Sequence, residues 1–233
     1  MTPCKTRMLR VCLLLLAAVP AYCQRGTIGI DVGQTADKFG GLKRSTGTVA
    51  GIDGEVIVLQ SSDKDHGADV LAGGEVRFPV DIANHAKEYA LYGGVKFRFT
   101  PNFSAGFHIQ VHRIYLPPST LNGGFFNRDR LSVVETPGFL EYKFGGVKHA
   151  FLRAEGGPEY TPHFHQIVPS NLNNPTFDYG YAVRGTVGYV FGKWYLKGTY
   201  ETRYFKFHPD PGNPGNLYNW RSDSVTGGVG FAF

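Results

Sequence analysis

The chain has 233 residues, 24 of them Lys or Arg and 19 Asp or Glu, for a formal net charge of +5, and it carries 31 Gly, 18 Phe and 13 Tyr. Three basic residues (Lys5, Arg7, Arg10) and all three cysteines (Cys4, Cys12, Cys23) fall within the first 23 positions, so the remainder holds 21 basic against 19 acidic residues, a net charge of +2. This excludes a disulfide-stapled domain and a basic nucleic-acid-binding protein, and the remaining length suits one large β domain.

Lys5, Arg7 and Arg10 precede the apolar run VCLLLLAAV (11–19), and Ala21 or Cys23 then closes a small-residue site. This pattern reads as a secretory signal peptide over residues 1–23, with an apolar run too short for a spanning helix. Tyr22, directly before Cys23, is too bulky for a lipidation site. Residues 24–233 then form one domain.

Period-2 patterning governs the rest of the chain. Residues 27–34 place Ile28, Ile30 and Val32 on one side; 46–59 is an indistinct strand; and 70–80 sets Val70, Ala72, Val76, Phe78 and Val80 against Glu75 and Arg77. In 88–99, Tyr89, Leu91, Gly93, Val95, Phe97 and Phe99 oppose Glu88, Tyr92, Lys96 and Arg98. After the turn Thr100-Pro101-Asn102, residues 103–115 set Phe103, Ala105, Phe107, Ile109 and Val111 against Ser104, His108, Gln110 and His112. A hairpin joins 131–144 to 148–161 through Gly145-Gly146-Val147, its polar face carrying Glu135, Glu141, Lys143, Arg153, Glu155 and Glu159. Residues 177–191 turn at Gly192-Lys193 into 194–205, where Trp194, Leu196, Gly198, Tyr200 and Tyr204 oppose Lys197, Thr199, Glu201 and Arg203. The last strand, 222–233, has Val225, Gly227, Val229, Phe231 and Phe233 on one face.

Counted together these make ten strands, or eight without the first two, and both even numbers suit a closed antiparallel up-and-down transmembrane β-barrel. The short turns alternate with long Pro/Asn/Gly segments (116–130, 162–176, 208–221), as in barrels with short periplasmic turns and long external loops. In lipid every backbone N–H and C=O must be paired within the protein, and strands achieve this only by closing the sheet. Val95, Phe107, Val183 and Leu196 are then expected to face lipid, and Lys96, His108, Arg184 and Lys197 the lumen. Tyr89, Phe99, Phe103, Tyr115, Phe144, Tyr160, Phe177, Phe191, Trp194 and Tyr204 are expected to form the interfacial aromatic girdles. The inward charges, Glu75, Arg77, Lys96, Arg98, Glu141, Arg153, Glu155, Arg184, Lys197, Glu201 and Arg203, with Glu88, are expected to pair and plug a narrow lumen.

Nothing in the pattern points to catalysis, a cofactor or a metal. His108 and His112 share a face, but four residues of strand hold them roughly 13 Å apart, too far for one ion. His163 and His165, in an expected external loop, read as solvated polarity, and Glu155 and Glu159 are likewise roughly 13 Å apart beside Arg153. Ser119, Ser170 and His208 lie in or beside the long segments without fixed mutual geometry, and no helix follows Gly227-Gly228-Val229-Gly230 to make it a phosphate loop.

Thr226, Gly228, Phe231 and Phe233, spaced polar, Gly, aromatic, terminal aromatic, resemble the C-terminal assembly signal of bacterial outer-membrane barrels. With the signal peptide, the alternation and the loop asymmetry, the chain resembles the small outer-membrane β-barrel family, of the OmpA-type transmembrane domain and opacity-protein kind. The resemblance implies residence in the outer membrane of a Gram-negative-type bacterium and a non-enzymatic structural or adhesin-like role for surface-exposed loops. It also implies dealings with outer-membrane lipid, the barrel-assembly machinery and periplasmic chaperones, and a monomer that does not bind nucleic acid. The competing readings are a narrow channel or porin, an outer-membrane hydrolase, and a soluble lipocalin-like binder with its faces inverted.

Overall fold

The computed structural model describes residues 25–39, 45–63, 66–80, 87–115, 130–144, 150–165, 176–208 and 219–233. The expected signal peptide and the Gly145-Gly146-Val147 turn lie outside the described residues.

The strands in chain order are β1 (Arg25–Phe39), β2 (Ser45–Leu59), β3 (Gly67–Pro79), β4 (Lys87–Arg98) and β5 (Phe103–Tyr115). They continue with β6 in two pieces (Arg130–Glu135 and Gly138–Lys143), then β7 (Ala150–His165), β8 (Thr176–Phe191), β9 (Trp194–His208) and β10 (Trp220–Ala232). Both pieces of β6 lie between β5 and β7, so the sheet has ten strands rather than eight. The break falls at Thr136-Pro137, because Pro has no N–H to give a ladder. Backbone bonds bridge it on either side: His108 N–H donates to the Pro137 carbonyl (3.1 Å) and Thr136 N–H to the Pro158 carbonyl (3.3 Å).

Each strand pairs antiparallel with its sequence neighbour, and β1 pairs with β10 from Thr27↔Ala232 to Phe39↔Trp220, which closes the barrel. The last pair of the seam is Gly26 with Phe233, each donating its N–H to the other's carbonyl (2.9 and 3.0 Å). Both chain ends of this seam lie at the short-turn end, with the 99–102 and 192–193 turns; the long segments 116–129, 166–175 and 209–218 leave from the opposite, loop end.

Two strands depart from the sequence reading for visible reasons. β2 is a full strand, but its outward positions run Thr46, Thr48, Ala50, Ile52, Gly54, Val56 and its inward ones mix Val49 and Ile57 with Asp53 and Glu55, so neither face is clean. β7 continues to His165, because residues 163–165 pair with 130–132 of β6; the two histidines expected in a loop are strand residues.

The faces lie as the alternation requires. Phe107, Val183 and Leu196 point outward and are 50, 50 and 52 % exposed, whereas Lys96, His108, Arg184 and Lys197 point inward. A closed barrel with an apolar outer wall and a charged interior is the arrangement a bilayer requires, and it inverts that of a soluble ligand-binding barrel.

Candidate functional site in the barrel lumen

The inward side chains form successive layers from the loop end to the short-turn end. The first is apolar: Ile114, Leu131, Val133, Phe205, Phe207 and Trp220 are all at most 2 % exposed. Phe205 and Trp220 stack with ring centres 5.5 Å apart and 7° between planes, and the Trp220 indole N–H donates to Asp37 (3.3 Å). This plug was not anticipated from sequence, although a signal existed. Phe205 and Phe207 continue the inward parity of Glu201 and Arg203, and Ile114 that of His108, Gln110 and His112. Phe177, expected in the outer girdle, instead packs against the plug. A bulge at Asp178 brings Phe177 opposite inward-facing Phe207 while Tyr179 stays opposite outward-facing Lys206, which switches the face of Phe177.

Below the plug, Arg203 on β9 reaches Glu88 on β4 (2.6 Å), Glu159 on β7 (2.8 Å) and Glu201 (3.3 Å). Beside it His112 bonds Glu135 (2.8 Å). In the next layer Arg184 on β8 meets Glu201 (2.6 Å), Glu75 on β3 (3.1 Å) and Glu155 on β7 (3.5 Å). Arg77 pairs with Glu75 and, at 3.1 Å, with Glu201. Farther down, Arg153 lies 2.8 Å from Glu155, 3.2 Å from Glu55 and 4.3 Å from the centre of the Phe139 ring, and the Tyr92 hydroxyl donates to Glu55 (3.1 Å). Lys197 pairs with Asp53 and lies 3.7 Å from Asp31, and Lys96 pairs with Glu141 (2.6 Å). Arg98 meets Asp69 (3.2 Å) and donates to the Asp63 carbonyl (2.6 Å) at the short-turn rim.

All twelve charged residues singled out for the lumen therefore face inward and are paired. Eight of them (Glu75, Arg77, Glu88, Arg153, Glu155, Arg184, Glu201, Arg203) form one connected chain of ion pairs. Lys96–Glu141, Arg98–Asp69 and Lys197–Asp53 stand apart from it. Sequence reasoning missed Asp31, Asp53, Glu55 and Asp69, which lie on β1 to β3 at inward positions between apolar outward ones.

Many of these bonds join strands that are not neighbours in the sheet: β2 to β7, β2 to β9, β3 to β8, β3 to β9 and β4 to β9. They cross the lumen as struts. A cavity of about 330 Å³ remains toward the short-turn end, lined in part by Asp53, Glu55, Lys143, Tyr195 and Lys197.

Several side chains invite a chemical reading. Ligand atoms of His112, Glu135 and Glu159 lie within 4.8 Å of one another, and the Arg203 guanidinium, shared with Glu88 and Glu201, stands 2.8 Å from Glu159 beside them. His108 bonds Gln110 (3.2 Å) rather than His112. His208 is exposed beside Asp178 (3.6 Å). The side chains of His163 and His165, and all of Ser119 and Ser170, lie outside the described residues.

The four residues expected to form a terminal signal divide between the two faces. Thr226 and Gly228 point inward, Gly228 under the Ile30 carbonyl at a distance where a Cβ would come within 2.6 Å of it. Phe231 points outward, edge-on to Trp194 with centroids 5.4 Å apart, and Phe233 forms the closing pair with Gly26.

No protein-family model matches the chain, and no curated protein matches it. Among solved structures it is similar to Neisserial surface protein A, at 13 % identity over 89 % of this chain and 97 % of that one, with a TM-score of 0.38. It is also similar to Ail, the attachment invasion locus protein of Yersinia pestis, at 12 % identity over 90 % and 98 %, TM-score 0.36. The translocator domain of the autotransporter NalP from Neisseria meningitidis is similar at 11 % identity over 98 % and 97 %, TM-score 0.40. These similar structures are outer-membrane β-barrel proteins.

Proposed function

We propose that this chain is a non-enzymatic barrel of a Gram-negative-type outer membrane whose lumen is closed and whose working surface is its long loops, in a structural or adhesin-like role. The carrying observation is the double closure of the lumen. An apolar plug of six side chains, none above 2 % exposed, covers the loop end, and Arg203, Arg184 and Arg153 tie opposite walls together beneath it. Solute transit would require dry packing and several buried ion pairs to open together, at several kcal/mol for each pair broken. With the lumen filled, the working surface in this reading is the loop end, from which the connections between β5 and β6, β7 and β8, and β9 and β10 depart. The terminal signal acts in this reading as the address for the assembly machinery, which the chain reaches with periplasmic chaperones as a monomer.

The test is conductance of the purified, folded barrel in planar bilayers, alongside surface proteolysis of intact cells. No stable single-channel steps and cleavage within the long segments are expected. Large uniform steps would replace this reading with the channel or porin alternative, and protection of every loop in intact cells would remove the surface role.

A further inference from the structure

Directly beneath the apolar plug, the inward side chains carry more negative charge than their neighbours balance. His112 on β5, Glu135 on β6 and Glu159 on β7 come from three successive strands, and each residue is buried. Glu135 and Glu159 are register partners, so two carboxylates occupy a directly opposed cross-strand pair, where like charges destabilise a sheet. His112 completes the group from the other side, with Nε2 2.8 Å from Glu135. The guanidinium at this level is Arg203, and it is divided among Glu88, Glu159 and Glu201. Even with Glu201 left wholly to Arg77 and Arg184, the carboxylates of Glu88, Glu135 and Glu159 face one arginine among the described residues. The surplus of two negative charges, in a place shielded from bulk water, is the charge of one divalent cation.

The hydrogen bonds show the same deficit independently. Glu159 is 2 % exposed, yet neither of its carboxylate oxygens accepts a hydrogen bond. Arg203 Nε stands 2.8 Å from Oε1 as an ion pair without hydrogen-bond alignment, and Oε2 has no donor among the described residues. A buried carboxylate oxygen left in this way forfeits its hydration with nothing in return, unless a cation takes the place of water. The three residues offer one ring nitrogen and two carboxylate oxygens, with the ligand atoms within 4.8 Å of one another. Zinc binds imidazole and carboxylate at about 2.0–2.2 Å, so these atoms would draw together by roughly an ångström, which rotation of the two glutamate side chains supplies. An imidazole in the set selects a first-row transition ion over magnesium or calcium, which take oxygen ligands.

We propose that His112, Glu135 and Glu159 are the ligands of a structural zinc ion that fastens β5, β6 and β7 together under the plug. Glu159 holds Arg203 with one oxygen and the ion with the other, which separates the two cations by the width of the carboxylate. The way in is from the short-turn end, since the plug closes the other. The cavity of about 330 Å³ shares Gln110, Glu155 and Arg184 with a void of about 10 Å³ that also touches Glu135. That void has room for about one water molecule, enough to pass an ion that sheds its hydration onto the carboxylates. The site is a property of the folded barrel and does not depend on the role proposed for its loops.

The test uses the whole barrel without an affinity tag, folded in a neutral detergent, stripped with a chelator and then equilibrated with zinc chloride. One zinc per barrel should remain after gel filtration, and added zinc should raise the urea midpoint of unfolding. His112→Gln and Glu159→Gln should each weaken zinc binding by about tenfold or more and lose the midpoint shift. His208→Gln, which changes an exposed histidine outside the cluster, should alter neither readout. Heat-modifiable gel mobility shows that a variant is folded. X-ray absorption at the zinc edge of the unaltered barrel needs no variant and should show one imidazole among oxygen ligands. Absence of retained zinc, full retention in both cluster variants, or a spectrum with two or more imidazoles would overturn the proposal.

Discussion

Glu201 is the point at which the lumen network is most exposed to a single change. Its carboxylate lies 2.6 Å from Arg184, 3.1 Å from Arg77 and 3.3 Å from Arg203, and the residue is 4 % exposed. Glu201→Gln keeps the shape but leaves three guanidinium groups sharing Glu75, Glu155, Glu88 and Glu159. Removing one member of a buried ion pair costs about 3–5 kcal/mol, and with three cations affected the upper end, about 5 kcal/mol, is expected. Arg184→Gln should cost less, about 3 kcal/mol, because Arg184 is nearer the cavity, with its side chain 21 % exposed against 5 % for Glu201, so water reaches the carboxylates it leaves. The double variant should cost less than the sum by about 1.5–3 kcal/mol, since the two residues share one bond network. Reversible urea unfolding in phospholipid vesicles, followed by tryptophan fluorescence and gel mobility, measures all three. A loss under about 1 kcal/mol for Glu201→Gln, or strict additivity in the double variant, would show that lumen water screens the pairs and that they do not brace the barrel.

Val183→Arg puts a charge on an outward, half-exposed mid-strand position and should cost about 2–4 kcal/mol, whereas Thr186→Arg, beside the lumen cavity, should cost far less; the reverse order in the same unfolding assay would mean the faces are misassigned. Trp220→Ala should destabilise by about 3–5 kcal/mol through lost packing on Phe205, yet leave planar-bilayer conductance low because the Arg203 layer still spans the lumen; a large channel would show that the plug alone is the seal. Deleting Phe233 removes the terminal residue of the β1–β10 seam, and changing Phe231 and Phe233 together to Ser removes the outward aromatics; both should abolish heat-modifiable protein in the outer membrane while precursor processing continues, and normal membrane levels would strip these residues of an assembly role.

Alternation alone carried most of the architecture. A strand turns successive side chains to opposite sides, so Val95/Lys96, Phe107/His108, Val183/Arg184 and Leu196/Lys197 each divide between two environments whatever the barrel's dimensions. The same rule explains where the reading blurred: in β2, Gly47, Gly51 and Gly54 report no face, and Asp53 and Glu55 sit among apolar inward neighbours. Pro137, without an N–H, breaks β6 at a place where the hydrophobic pattern continues on either side, and the bulge at Asp178 reverses Phe177 without any change in its own character.

Legible in the chain itself were the inward and outward residues of the clear strands, the short-turn and loop ends, and the presence of mixed charge inside. Which charges meet is settled by the closed fold, because Glu75 and Arg184, Glu88 and Arg203, or Glu55 and Arg153 lie on strands that are neither sequence nor sheet neighbours. Their contact depends on the number of strands and on the stagger with which β1 meets β10, and these fix how opposite walls face one another across the lumen. The plug arises in the same way: Ile114, Leu131, Val133, Phe205, Phe207 and Trp220 are ordinary apolar residues in separate stretches of chain until closure brings their inward faces to one level and leaves them no water to meet.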